Sequence, residues 1–127
     1  MTEPGLANQS LATYKTGTPP MIRKEITERI RDIPSWTLED GHIAKDFSCK
    51  SPEQAVEFIT DTLLFAKEAG HLPDISLTQE RHVRVTWFTY PAGGLTMNDF
   101  IMAAKLDART APEKSRARAP EEKTGSG

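Results

Sequence analysis

One cysteine, Cys49, stands in a chain of 127 residues. A lone thiol cannot form an internal disulfide framework, and it fits a reducing, cytoplasmic compartment. Histidine is almost as scarce: His42, His71 and His82 are scattered along the chain. Neither their spacing nor Cys49 supplies a metal-ligand pattern, so no metal and no cofactor is expected. No apolar run approaches the roughly 20 residues needed to span a bilayer. Residues 1–18 lack the apolar stretch of a secretory signal. The chain also lacks a surplus of basic charge. Sixteen Lys and Arg face 18 Asp and Glu, for a formal net charge of -2 and a pI near 5.9. A general nucleic-acid-binding domain is usually strongly basic, so neither nucleic acid nor membrane is an expected partner. Internal repeats are also lacking.

Hydrophobic residues make up 37% of the chain and charged residues 27%. That suffices for one modest core and no second domain. Residues 1–18 carry only Leu6, Leu11 and Tyr14 as sizeable apolar groups, which predicts a flexible N-terminal arm. Residues 109–127 carry nothing apolar larger than alanine or proline, which predicts a disordered polar tail. The folded part is expected at residues 19–108.

Within it, Ile22, Ile26, Ile30 and Ile33 recur at helical spacing and predict a helix over residues 21–32. Pro34 stops it. Residues 36–39 alternate in the strand period, Asp40-Gly41 is a hairpin signal, and residues 42–49 return. Ser51, Pro52 and Gln54 form a helix-start signature with a capping box. The helix that follows has an expected buried stripe of Ala55, Val56, Ile59, Leu63 and Ala66, flanked by Phe58, Thr62 and Phe65. Gly70 ends it. Residues 74–78 and 82–89 read as a second hairpin. Thr96 to Asp99 is another helix-start signature, leading into Phe100, Ile101, Ala104 and Leu106. The predicted fold is α+β: a four-stranded antiparallel sheet with three helices on one face, ordered helix-strand-strand-helix-strand-strand-helix.

Three features are specific in combination. Trp36 precedes the first hairpin. His71-Leu72-Pro73-Asp74 turns out of the central helix. Gly93-Gly94-Leu95-Thr96 leads through Asp99 into the last helix. With them, residues 20–108 resemble the pterin-4a-carbinolamine dehydratase (dimerisation cofactor) family, in the same element order.

The resemblance implies an active site for removing water from a 4a-hydroxypterin, a hydro-lyase reaction. One group takes a proton from a ring nitrogen and another protonates the departing hydroxyl. Imidazoles suit both jobs because their ordinary pKa lies near working pH. In the family a His-His-Pro-Glu/Asp turn and a later Thr-His supply them. Here His71 falls on the first histidine, Leu72 on the second and Tyr90 on the third. Leucine moves no proton, and a phenol with an ordinary pKa of about 10 is a poor base near neutrality. Asp99 matches the family's aspartate. Lys67 stands where the family has a glutamate, with Glu68 one place off. The site is thus expected to be a vestige built on His71, Tyr90 and Asp99. Leu72, Pro73, Asp74, Trp87, Gly93 and Gly94 would line it.

Each of these residues also has a structural explanation. His71 could satisfy helix-terminal carbonyls, Asp99 suits a helix start, and Trp36 and Trp87 suit a core. Losing two of three proton-transfer groups, each worth about 10²–10⁴-fold, argues for a protein that binds rather than turns over. The chain is similar to a degenerate branch of the family that assists RuBisCO assembly alongside alpha-carboxysomes. The expected partner is then the RuBisCO large subunit, and carboxysome association follows from the same resemblance. A working dehydratase with a substituted site is the alternative. A dimerising cofactor of transcription factors fits less well. The family forms edge-joined dimers, and a small domain with exposed edge strands is expected to form at least a homodimer.

Overall fold

The computed structural model describes residues 5–13 and 17–110. Three α-helices and four strands follow the expected order: α1 (Arg23–Ile30), β1 (Thr37–Glu39), β2 (His42–Ser48), α2 (Pro52–Ala69), β3 (Asp74–Thr78), β4 (His82–Trp87) and α3 (Met97–Thr110). Short 3-10 segments lie at Leu6–Asn8 and Tyr90–Ala92.

Both hairpins close through two residues in the left-handed region. Asp40 and Gly41 have φ of 51° and 78°, and Gln79 and Glu80 have φ of 52° and 69°. The first pair suits a twisted two-residue turn, whereas the second holds two side-chain-bearing residues in a conformation they seldom adopt. All pairings are antiparallel, and the spatial order is β1-β2-β4-β3. The two hairpins therefore join through β2 and β4, with Ile43 opposite Trp87 and Phe47 opposite Val83.

On β4 the strand period sends Val83, Val85 and Trp87 into the core, each fully buried. Phe100, Met102, Ala103 and Leu106 of α3 meet them from the helical layer. The phase of α2 differs from the expectation. Ala55, Thr62 and Ala66 are buried, with Phe58, Ile59, Phe65 and Ala69 partly so. Val56 and Leu63 face outward, 57% and 39% exposed. An apolar stripe can be drawn at two neighbouring angles on this helix. The small residues take the inner one because they let the helix approach the sheet closely. Ile22, the first residue of the predicted α1 stripe, is likewise exposed, while Ile33 is buried. The α2 cap also differs in detail. Ser51 accepts the Gln54 N–H at 3.1 Å, but the Gln54 side chain accepts from Lys50 rather than from Ser51.

Part of the segment expected to be a flexible arm is docked. Leu6 is buried, Leu11 packs against the core, and the 3-10 turn lies against α3. Two leucines and a few backbone groups are enough because α3 offers partners for both. The Tyr14 position, and the tail beyond residue 110, lie outside the described residues.

The far end of α3 is tied to the first hairpin. The Trp36 indole N–H donates to Asp107 at 3.0 Å, and Lys45 pairs with the other carboxylate oxygen at 2.8 Å. These contacts set the position of α3, and α3 carries Asp99. On the solvent side of the sheet, the Arg84 guanidinium pairs with Asp46 and Glu39, and its hydrogen bond holds the Glu39 carboxyl below the usual range. Among the described residues no helix is long and apolar enough to cross a membrane.

Candidate functional site

The α2 helix ends on Gly70, whose φ of 87° turns the chain. Its N–H donates to the Ala66 and Lys67 carbonyls, and the His71 N–H donates to Ala66. A side chain at position 70 would be strained in this conformation. The reversal aims His71 at the start of α3. There His71 Nε2 lies 2.7 Å from Asp99 Oδ1. The imidazole also stacks on the Trp87 ring, with centroids 5.5 Å apart and an interplanar angle of 16°.

Asp99 is fully buried. A buried carboxylate is tolerable only when its oxygens are met by donors. Its second oxygen, Oδ2, accepts the Thr89 hydroxyl at 2.7 Å and the Thr96 N–H at 2.9 Å. Because the Thr89 proton goes to Asp99, the Thr96 hydroxyl donates in turn to Thr89, at 2.8 Å. The first turn of α3 adds the positive end of a helix dipole. With Nε2–H donating to Asp99, Nδ1 is the ring nitrogen that does not face the carboxylate. The carboxylate thus fixes both the orientation and the tautomer of His71, as in other carboxylate-histidine pairs.

The Trp87 indole N–H is buried and meets no acceptor among the described residues. Such a donor in a native structure is usually answered by ordered water or a ligand. A cavity of about 380 Å³ borders the site, with His71, Thr89, Pro91 and Asn98 among its walls. A separate hollow of about 430 Å³ lies beside α1, lined by residues such as Pro20, Glu25 and Arg29. It holds no imidazole, and it meets the Asp99 network only through Thr96.

The remaining expected residues fall into other places. Tyr90 is 64% exposed. Its hydroxyl donates to Asp74 Oδ2 at 2.6 Å, and this hydrogen bond pushes the phenol above its ordinary value. Tyr90 also meets the edge of Phe88, which stacks on His42 on the solvent side of the sheet. Tyr90 and Asp74 thus make a second, separate pair, and Tyr90 makes no hydrogen bond to His71 or Asp99. Leu72 is 56% exposed, while Pro73 is buried. Gly93, at φ 71°, ends the 3-10 turn. Gly94 packs so closely on Pro20 that an added Cβ would stand 2.7 Å from it. Both glycines shape the entry to α3 and do not line the cavity.

Thr89, Thr96 and Asn98 belong to the site although the sequence reading did not place them in it. For Thr89 a signal exists. The inward phase of β4 runs 83, 85, 87 and continues to 89, so a polar residue there must find a buried partner. Among the described residues no group of three or more His, Cys, Asp and Glu side chains gathers as a metal site would need.

The geometry matches a known family. The pterin 4 alpha carbinolamine dehydratase profile covers residues 19–109. The chain belongs to this family. A relative from Cupriavidus pinatubonensis, provisionally named a pterin-4-alpha-carbinolamine dehydratase, is 37% identical over 79% of this chain and 87% of its own. One from Chloroflexus aurantiacus, with the same provisional name, is 38% identical over 70% of this chain and 95% of its own. Among solved structures, a transcriptional coactivator/pterin dehydratase from Brucella melitensis superposes with a TM-score of 0.63. It is 27% identical, over 70% of this chain and 96% of the other. The family's fold is present here over the whole matched region.

Proposed function

We propose that this chain works by binding rather than by turnover, as an assembly factor for the RuBisCO of the alpha-carboxysome, with the large subunit as its partner. One observation carries the non-enzymatic part. Of the three positions that hold imidazoles in the family, only 71 carries a proton-exchanging ring within the Asp99 network. Leucine occupies 72, and the Tyr90 hydroxyl is engaged by Asp74. A single imidazole-carboxylate pair would have to serve both proton transfers that dehydration needs, without the roughly 10²–10⁴-fold that a second positioned group contributes.

The choice of RuBisCO rests on the resemblance to the degenerate, carboxysome-linked branch. Surface chemistry supports a binding role. Val56, Leu63 and Leu64 lie exposed on one side of α2, and Leu38 and Leu77 lie exposed on the two edge strands. Exposed apolar groups on a helix face and on unpaired edges suit contacts with other chains. A homodimer or higher oligomer would cover part of that surface, and light scattering at micromolar concentration would return more than one chain mass.

Co-expression with RuBisCO subunits tests the assignment. Soluble, assembled RuBisCO is expected to rise when the chain is present. An unchanged yield, together with no complex on mixing, would overturn it. The alternative reading is a working dehydratase with a substituted site, in which His71 acts as base and Tyr90 or Asp99 helps the hydroxyl leave, and the intact His71–Asp99 pair favours it. Turnover of a 4a-hydroxytetrahydropterin at rates typical of three-histidine relatives, abolished in His71→Ala, would put that reading first.

A further inference from the structure

The cavity beside His71 is not enclosed by the family domain alone. His71, Thr89 and Asn98 form one side, while Leu11, Ala12 and Thr13 form part of the other. The latter three precede the residues 19–109 that match the family. We propose that residues 5–13 are a strap that closes the His71 cavity, with Asn98 and Lys105 as its clasp.

The clasp reads backbone rather than side chains. The Ala12 N–H donates to Asn98 Oδ1 at 2.8 Å, and Asn98 Nδ2 donates to the Ala12 carbonyl at 2.7 Å. Asn98 is only 6% exposed, so its amide would lose these partners at a cost if the strap left and no water replaced it. Seven residues further along α3, about two turns away, Lys105 Nζ donates to the Ala7 carbonyl at 2.8 Å. Leu6, next to Ala7, is buried, and Leu11, next to Ala12, packs against the core. The Gly17 N–H reaches the carbonyl of Pro91, itself a cavity residue, at 3.2 Å.

Among the described residues the strap pairs with no strand; it is held by two leucines, the packing of its 3-10 turn on α3 and a few polar contacts. Segments with so few anchors open at a small fraction of the free energy of global unfolding. It can therefore release while the domain stays folded. Closed, it limits water and ligand access to His71. Open, it exposes His71 and frees the Asn98 amide for another extended backbone. This inference stands apart from the assembly-factor reading, because a strap over the cavity would control access in a binding protein and in an enzyme alike.

The test compares the full chain with two variants, Ala12→Pro and a deletion of residues 2–13. Ala12→Pro removes the N–H that Asn98 accepts and leaves every residue of the domain in place. The readout is carbethoxylation of His71 by diethyl pyrocarbonate, followed by peptide mass spectrometry. His42 and His82, which do not line the cavity, serve as the internal reference. The ratio of the His71 rate to the reference rates is expected to rise about tenfold in a released strap, the scale of losing one or two buried hydrogen bonds. A rise in either variant carries the proposal. An unchanged ratio in both overturns it.

Discussion

His71 and Tyr90 each hydrogen-bond to a carboxylate, at 2.7 Å and 2.6 Å respectively. The distances nearly coincide, yet the two pairs differ in every surrounding property. Asp99 is fully buried and accepts from two further donors. Asp74 is exposed, and so is Tyr90. A hydrogen bond in the low-dielectric interior is strong to make and costly to break, while one at the surface competes with water. Geometry alone would rank these pairs as equals; burial decides that one anchors a site and the other decorates a surface.

The largest expected effect is at the centre of the buried network. Asp99→Ala strands His71 Nε2, the Thr89 hydroxyl and the Thr96 N–H together, and should destabilise the domain by about 3–5 kcal/mol in urea unfolding. A loss under about 1 kcal/mol would mean that water enters freely and the comparison fails. His71→Phe keeps a ring against Trp87 but leaves Asp99 Oδ1 without its partner, with an expected cost of about 1–3 kcal/mol. Thr89→Val keeps the shape and removes one donor, for about 1–2 kcal/mol, and combined with His71→Phe it should prove non-additive.

At the other pair the same style of change should be almost silent. Tyr90→Phe is expected to leave the thermal midpoint at the parent value. A drop as large as that of Thr89→Val would overturn the distinction drawn here. The smallest effect is spectroscopic. Asp74 holds the Tyr90 phenol above its ordinary pKa through the hydrogen bond. A folded-state value raised above the unfolded one makes a contribution present at lower pH and lost as pH climbs through the folded value. Tyrosinate absorbance should therefore develop later for Tyr90 than for a free phenol. In Asp74→Asn the ionisation should move back down, and failure to move would show that the bond does not persist in solution.

Much of the fold was legible in advance, for local reasons. Asp40-Gly41 marked its hairpin, Ser51-Pro52 opened α2 and Gly70 closed it, because turns and helix ends depend on a few adjacent residues. The turn at Gln79-Glu80 was expected between residues 78 and 81, but its left-handed backbone was not, since neither residue favours it. The inner face of α2 was drawn one step off, toward Val56 and Leu63, because hydrophobicity alone cannot say which of two adjacent stripes fits a sheet. His71 and Asp99 were named by family resemblance. Their partners Thr89 and Thr96 read in the sequence as ordinary strand and cap residues.

By itself the amino-acid order determined the element sequence, the helix ends and the scarcity of imidazole, with three histidines in the whole chain. These follow from backbone preferences and side-chain chemistry, which are properties of short stretches. Only the tertiary structure decided that Asp99 meets His71 across 28 positions of sequence, that Tyr90 turns to Asp74, and that residues 5–13 lie against α3. Those outcomes depend on which groups are removed from water together, and that is settled by packing between distant segments rather than by any one of them.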